Sequence, residues 1–339
     1  MKRSGEDFWR ELRTNRFFDE LKYILEKITY EARKQRVRLV LVLNPRSTQA
    51  KRAEEEILKP LYQYIFEDKK IENITLFRYE VKLTHVDDNA LKLAECLKDG
   101  DVVLAIGGDG TASIGVNGVI LSDKKVKFYT IPYGNFNDIA RTLKKARGQK
   151  IYAMEALVDD EHFRYALCYF TAGMLAESTK IFNEKKNRER LRKKRKNLIF
   201  SLWILFVWFM KNRRRQWFSG FRQELMLRNG AKKEVILRGN MSDLIALNGA
   251  TMARILRGGE YYGSKSFLVR NANLAGFFRV CGFMLRGILG HVAGDEVKNV
   301  VYYFEQPTNF EIQAEGELKE FEGILKIEFR KSEKTLQIL

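Results

Sequence analysis

The sequence predicts an α/β protein: a Rossmann-like parallel-sheet nucleotide domain followed by a β-rich, sandwich-like second domain. Three observations carry that reading. Val37 to Pro45 (VRLVLVLNP) and Asp101 to Ile106 (DVVLAI) are continuous apolar runs of strand length, as strands buried on both faces require. Helical stretches separate them, and alternating strands and helices imply right-handed βαβ units. After about residue 148 the alternation gives way to short strand-like runs punctuated by Gly, Asn and charge.

In chain order, Phe8, Leu12, Phe17, Leu21, Leu25 and Ile28 recur at helical spacing among charges, so residues 7–36 read as a helical extension. Residues 1–36 are therefore set apart from a nucleotide domain over 37–147. There, Ala50 to Phe66 is helical and Ile74 to Val81 strand-like. Asp87 to Lys98 is helical, with Gly100 as its C′ residue. Ala112 to Leu121 is helical, and Val126 to Ile131 is a strand. Residues 148–339 form the second domain, with strand-like runs at 165–170, 224–227, 234–237, 243–247, 266–269, 297–304, 309–314 and 323–329.

The chain has 339 residues, 61 Lys+Arg against 43 Asp+Glu and a net charge of +18. That excess points to anionic partners: nucleotide, nucleic acid or a membrane surface. Three scattered cysteines exclude a disulfide framework and fit a reducing compartment. The opening MKRSGEDFWREL lacks the apolar core of a signal peptide, and no apolar run is long enough to cross a bilayer. His85, His162 and His291 have no metal-ligand spacing, and neither C-x-x-C nor G-x-S-x-G occurs.

Ile106-Gly107-Gly108-Asp109-Gly110-Thr111 follows a buried strand and precedes a helix. Glycines there let the backbone approach an anion, and the N–H groups of the following helix face negative charge. Thr111 offers a hydroxyl and a cap. Asp109 suits a magnesium ligand or an acceptor for a hydroxyl. The competing reading is a plain tight βα turn. The pattern is neither a Walker A loop nor G-x-G-x-x-G.

Gly107-Gly108-Asp109-Gly110-Thr111 resembles the signature of the diacylglycerol kinase catalytic-domain superfamily. Asn44-Pro45-Arg46-Ser47 resembles that family's N-P-x-S-G motif, and Ile131 to Arg141 (IPYGNFNDIAR) resembles its P-L-G-T-G-N-D-x-A-R segment. Asn137-Asp138 in this third motif is lipid-kinase-like rather than NAD-kinase-like. Ala172-Gly173-Met174, Asn248-Gly249 and Glu315-Gly316-Glu317 are similar to later elements of the family, in the same order.

The resemblance implies transfer of the γ-phosphoryl group of ATP, with Mg2+, to a lipid hydroxyl. Diacylglycerol is the expected acceptor; a sphingoid base or prenol, or a catalytically impaired nucleotide- or lipid-binding member, are the alternatives. By the resemblance Asn44 and Ser47 contact the nucleotide. Gly107, Gly108, Asp109, Gly110 and Thr111 line phosphates and metal, and Gly134, Asn137 and Asp138 shape the cleft floor. Glu317 is the general base, with Asp109 the second candidate. The chain departs from the family at Thr48, Ile114, Asn135-Phe136 and Tyr262-Gly263. The changes at Ile114 and Tyr262 each remove a carboxylate.

An insertion over 184–222 stands apart. Residues 185–196 carry nine positive charges and one negative, Leu198 to Met210 (LIFSLWILFVWFM) is apolar, and a second basic run follows. Cations flanking an apolar, Trp-containing block fit an interfacial anchor, so 185–218 is expected to meet an anionic membrane surface. The bland alternative is a buried core helix. Nucleic acid is disfavoured, because the basic run abuts aliphatic residues rather than interleaved aromatics. Membrane docking fits the lipid substrate that the resemblance implies, so a cytoplasmic, membrane-peripheral location is expected; a homodimer is left open.

Overall fold

A computed structural model describes residues 5–47, 49–69, 71–82, 85–134, 137–184, 187, 197–212, 217–252, 257, 259–273, 277–290 and 292–339. The sequence-based expectations at Thr48, Asn135-Phe136, His291 and most of both basic runs lie outside the described residues. The chain divides into two compact units, Met1–Ile151 with Lys334–Leu339, and Tyr152–Glu333.

The first unit holds a parallel sheet. Strands β1 (Val37–Leu43), β2 (Ile74–Glu80), β3 (Val102–Gly107) and β4 (Lys127–Pro132) lie in the order β2-β1-β3-β4. Gln337 and Ile338 add a parallel pairing beyond β4, against Lys127 and Phe128. Both apolar runs are buried as strands covered on two faces must be: every residue of β3 is buried, and all of β1 but Arg38. The register aligns the strand ends, with Leu43 opposite Ile106 and Gly107 opposite Pro132. Three motif-bearing turns therefore leave the sheet at one edge.

Helices α1 (Gly5–Leu12) and α2 (Phe18–Ala32) replace the single helix expected over 7–36. Asn15 explains the break. Its side-chain oxygen accepts the Phe17 N–H at 2.8 Å, while its amide donates to the Glu56 carbonyl at 2.6 Å. That local bond competes with helical pairing. The α2 face of Leu21, Ile24, Leu25 and Ile28 is buried. Helix α3 (residues 50–68) mixes α and π turns, and α4 (Val86–Cys96) follows β2. Gly100 has positive φ but is not the C′ residue of α4: the helix stops at Leu97, whose backbone is already extended. Helix α5 (Asp109–Ser122) is buried from Thr111 to Ile120, packed against α4 and β3. Helix α6 (Asp138–Lys145) follows β4. Arg38 of β1 reaches the start of β3, its Nε 2.9 Å from the buried Asp101 carboxylate, and it also donates to the Cys96 carbonyl at 2.6 Å.

The second unit is β-rich, with longer strands than the sequence runs suggest. After β5 (Lys150–Val158) come β6 (Glu161–Ala166), β7 (Tyr169–Gly173) and α7 (Met174–Asn183). Then follow α8 (Asn197–Asn212), β8 (Phe218–Leu227), β9 (Lys232–Met241), β10 (Asp243–Leu247) and β11 (Phe267–Ala272). Helix α9 (Phe277–Ile288) precedes β12 (Asp295–Ala314) and β13 (Glu317–Ile338). The runs at 297–304 and 309–314 are one strand, β12, irregular between Tyr303 and Phe310, and its partners are β7, β8, β11 and β13. The core is aromatic: Phe170 stacks on Phe329 at 5.4 Å, and Phe218 on Phe304 at 5.6 Å. Glu155 of β5 pairs with His162 at 2.8 Å and Arg330 at 2.7 Å. Burial raises the Glu155 pKa, but His162 and Arg330 outweigh it and hold the carboxyl down to about 2.

Two outcomes test this packing. Arg38→Met leaves a buried carboxylate without its cation; losing one partner of a fully buried pair costs about 3–5 kcal/mol. Arg38 retains some water, so a loss of about 2–3 kcal/mol is expected in urea unfolding; an unchanged midpoint would refute the pairing. Glu155 is more acidic folded than unfolded, so its contribution is present above the ordinary carboxylate pKa and disappears as pH falls through that value toward about 2. Glu155→Gln should lower the melting temperature at pH 7 and flatten its decline between pH 5 and 3.

Candidate active site

The site in the first unit starts with three turns at the carboxyl ends of β1, β3 and β4. The strand order reverses between β1 and β3, the place where open α/β sheets leave a crevice for ligands. A pocket opens there, lined among others by Asn44, Ser47, Ala53, Arg78, Gly107 and Tyr133.

Asn44 and Ser47 first shape their own turn. The Asn44 side-chain oxygen accepts the Arg46 N–H at 3.0 Å, and its carbonyl accepts the Ser47 N–H at 3.0 Å. The Ser47 hydroxyl accepts the Gln49 N–H at 3.3 Å, just before α3. Both residues remain partly exposed at the pocket rim.

The Gly-rich turn is tighter than the sequence suggests. Helix α5 begins inside it, at Asp109, with Gly108 as an extended N-cap. Thr111 is therefore not a cap. It is a buried first-turn residue packed over Gly107, where a Cβ would meet its hydroxyl at 2.5 Å. The backbone N–H groups of Asp109, Gly110 and Thr111 belong to that first turn, in which N–H groups have no carbonyl partner inside the helix.

The third turn lies directly against the second. A Cβ on Gly134 would stand 2.7 Å from the Gly108 Cα and 2.8 Å from the Asn137 amide oxygen. Only glycine permits that approach. The Asn137 side chain clamps Gly134, accepting its N–H and donating to its carbonyl, both at 2.8 Å. Asn137 takes a left-handed conformation, φ 56°, which asparagine tolerates better than most residues.

Asp109 joins the two turns. Its carboxylate accepts the Asn137 N–H at 2.7 Å and the Ile139 N–H at 3.3 Å, capping α6 from another element. The residue keeps some surface, yet protein encloses its carboxylate. Burial first, and the neighbouring Asp138 second, raise the Asp109 pKa well above the usual carboxylate range, against the two N–H bonds and Arg141. Asp138 is buried, with Arg141 3.4 Å away.

Glu56 lies in no motif, and Tyr133 lies in the third motif without a role assigned to it. The Tyr133 hydroxyl donates to Glu56 at 2.9 Å, and Arg16 and Arg52 also pair with Glu56, at 3.1 and 2.7 Å. Phe17 packs on the Tyr133 ring at 4.7 Å, with the Arg16 guanidinium 4.8 Å from its centroid. The extension ahead of the sheet thus braces the pocket wall. A tyrosine in a Gly-rich segment was the available signal.

In the second unit the later motifs also come together. Glu315 and Gly316, at φ 53° and 93°, form a two-residue turn joining β12 to β13, as a type I′ hairpin requires. The buried Glu315 carboxylate accepts the Leu167 and Cys168 N–H groups at 2.6 and 2.7 Å. Asn248 and Gly249 donate their backbone N–H groups to the Cys168 carbonyl, and the Asn248 amide donates to that of Leu167. One turn is held from both sides by the N-G and E-G-E elements. Lys331, absent from any motif, donates to Asn248 Oδ1 and to the Tyr261 carbonyl, and burial lowers its pKa to about 7. Glu317 opens β13 and is partly exposed, opposite Ala314. Ile114 is buried in α5, and Tyr262 is buried with its hydroxyl 3.0 Å from Glu260. Among the described residues no cluster of three or more His, Cys, Asp or Glu is arranged to hold a metal ion.

Residues 38–169 match the family described as the diacylglycerol kinase catalytic domain. A protein of Staphylococcus haemolyticus titled "Putative lipid kinase" is 34% identical over 92 residues, 25% of this chain and 30% of that protein. A Staphylococcus aureus protein with the same title is 31% identical over 96 residues, 26% of this chain and 32% of its own. The matches thus span about a third of these relatives' length. Among solved structures, "A putative diacylglycerol kinase from Bacillus anthracis str. Sterne" superposes with a TM-score of 0.58 at 17% identity. It covers 89% of this chain and 97% of that one, a likeness of fold. Over residues 38–169 this chain thus resembles the diacylglycerol kinase catalytic domain.

Proposed function

We propose that this chain is an ATP-dependent kinase that phosphorylates the hydroxyl of diacylglycerol or a related membrane lipid. The observation that carries the reading is the convergence of the three motif turns at one sheet edge, sealed by the Gly108–Gly134 backbone contact. Such an edge offers first-turn N–H groups and little side-chain bulk, which suits phosphates. Asn44 and Ser47 are assigned to the nucleotide. Gly107, Gly108, Gly110 and Thr111 are assigned to its phosphates, and Gly134, Asn137 and Asp138 to the shape of the floor.

Phosphoryl transfer is mostly positioning and charge neutralisation. The lipid oxygen bonds to the γ-phosphorus, the bond to the ADP oxygen breaks, and the hydroxyl proton passes to a carboxylate. Glu317 is assigned that proton. Asp109 is assigned to magnesium, with a limit set by its surroundings: both oxygens already accept backbone N–H groups, leaving one lone pair each. That fits an ion held chiefly by phosphates and water, as magnesium commonly is. When bound, the ion neutralises charge on the transferred group. Asp109 also holds the α6 turn against the Gly-rich turn, a role it keeps without metal.

A second reading, a member that binds nucleotide or lipid without transfer, is favoured by Ile114 and Tyr262, both buried and both lacking a carboxylate. Transfer of label from γ-labelled ATP to extracted lipids, with magnesium, separates the two. The expected result is one labelled lipid class, lost at least about 100-fold in Glu317→Gln and Asp109→Asn, as removal of a proton acceptor or charge-bearing group predicts. The mobility of the labelled lipid identifies diacylglycerol, a sphingoid base or a prenol. Folded protein that binds ATP and labels no lipid would replace the kinase by the binding protein. Gly134→Ala should weaken ATP binding at least tenfold by calorimetry and lower stability by about 1–3 kcal/mol, the cost of forcing extra volume into a filled space. Unaltered ATP binding in that variant would remove the glycine contact from the nucleotide site.

A further inference from the structure

The second unit carries a surface the motifs do not use. Residues 190–223 and 261–294 are each 34 residues long without one Asp or Glu, and they contain eleven and four Lys or Arg residues. Each segment contains an apolar helix, α8 and α9, and those two helices pack on each other.

Helix α9 is amphipathic with its apolar stripe facing out. Phe278, Leu285 and Leu289, counting the residue just past its end, recur at seven- and four-residue spacing and share one face. They are 86%, 58% and 61% exposed. Ile288 flanks the stripe, also exposed, and Arg279 and Arg286 run along its other side. Phe283 and Gly287 face inward and are buried. On α8, Trp203 is 60% exposed. An apolar stripe facing water is disfavoured unless something covers it.

The charge beside it identifies what. Among the described residues, no ion pair engages Arg270, Arg279 or Arg286. Arg270 lies near Arg286, and burial together with that second cation lowers its pKa. Arg270 stacks on the inward Phe283 and donates to the Ala293 carbonyl; the exposed Arg279 and Arg286 are suited to anionic oxygens. A second copy of the same face would bring cation against cation. Nucleic acid would meet aliphatic side chains at the centre of the patch rather than stacking platforms. Among the described residues no helix is long and apolar enough to cross a membrane.

We propose that α9, together with Trp203 of α8, is an interfacial docking surface for an anionic lipid bilayer. Phe278, Leu285 and Leu289 enter the acyl boundary, while Arg279 and Arg286 meet lipid phosphates, their stems lying along the apolar layer. This surface does not depend on the kinase assignment. It extends the expectation placed on 185–218 to a helix whose sequence shows only moderate charge.

Co-sedimentation of the full chain with vesicles of phosphatidylcholine alone, or with 30% phosphatidylglycerol, tests it without any lipid acceptor. The expected result is binding to the anionic vesicles that falls as salt rises, because surface charge is screened. F278S/L285S should weaken that binding about tenfold while keeping the melting temperature within a few degrees. R279Q/R286Q should remove most of the preference for anionic vesicles, with the apolar contribution retained. Wild-type binding by a folded α9 variant would overturn the proposal and assign any membrane affinity to the basic runs of 185–218. So would equal affinity for neutral and anionic vesicles. A dimer in sedimentation velocity that F278S/L285S dissolves would overturn it in favour of self-association.

Discussion

The first unit depends on one contact without side chains, the meeting of the Gly108 and Gly134 backbones. Everything around it maintains that approach. Asn137 clamps Gly134 from one side, and Asp109 accepts two N–H groups of the segment that follows. Their cost is visible in the chemistry of Asp109, whose charge is disfavoured where it stands. A carboxylate held there caps a helix across two turns at the expense of its own charge.

The second unit solves a related problem differently. Its turn at Leu167–Cys168 has N–H and carbonyl groups that strand pairing does not satisfy. Glu315 accepts the former and Asn248-Gly249 supply donors for the latter. Glu315 pays for this with left-handed backbone that a glutamate seldom adopts. The same hairpin sets where Glu317 enters its strand. A buried lysine then completes the cluster by donating to Asn248, with its charge weakened by the same low-polarity surroundings.

Much of this is legible in the sequence. The apolar runs at 37–45 and 101–106 point to doubly buried parallel strands, and the resemblance assigns the three motifs to one cleft. What was not legible depended on distant partners. The break at Asn15 needs the Glu56 carbonyl, forty-one residues away. Helix α5 starts inside its motif because Gly108 meets Gly134, so local spacing misplaced Thr111 as a cap. The runs at 297–304 and 309–314 fused into one strand because β8 and β13 pair along its length. The segment of α9 matches none of the runs assigned from the sequence, and periodicity in any case reports amphipathicity without telling which face meets water.

The returning strand end has a consequence in time. Gln337 and Ile338 pair beside β4, Leu339 donates to the Phe128 carbonyl at 3.1 Å, and Tyr23 donates to the Leu339 carbonyl. These contacts close loops of some two to three hundred residues, and non-local closure of that kind slows folding. A nascent chain makes β1 to β4 early, yet that sheet has a bare edge at β4 until Gln337 and Ile338 emerge. During synthesis the interval is spanned by the whole second unit. Such an edge is open to strand pairing with other chains while it waits.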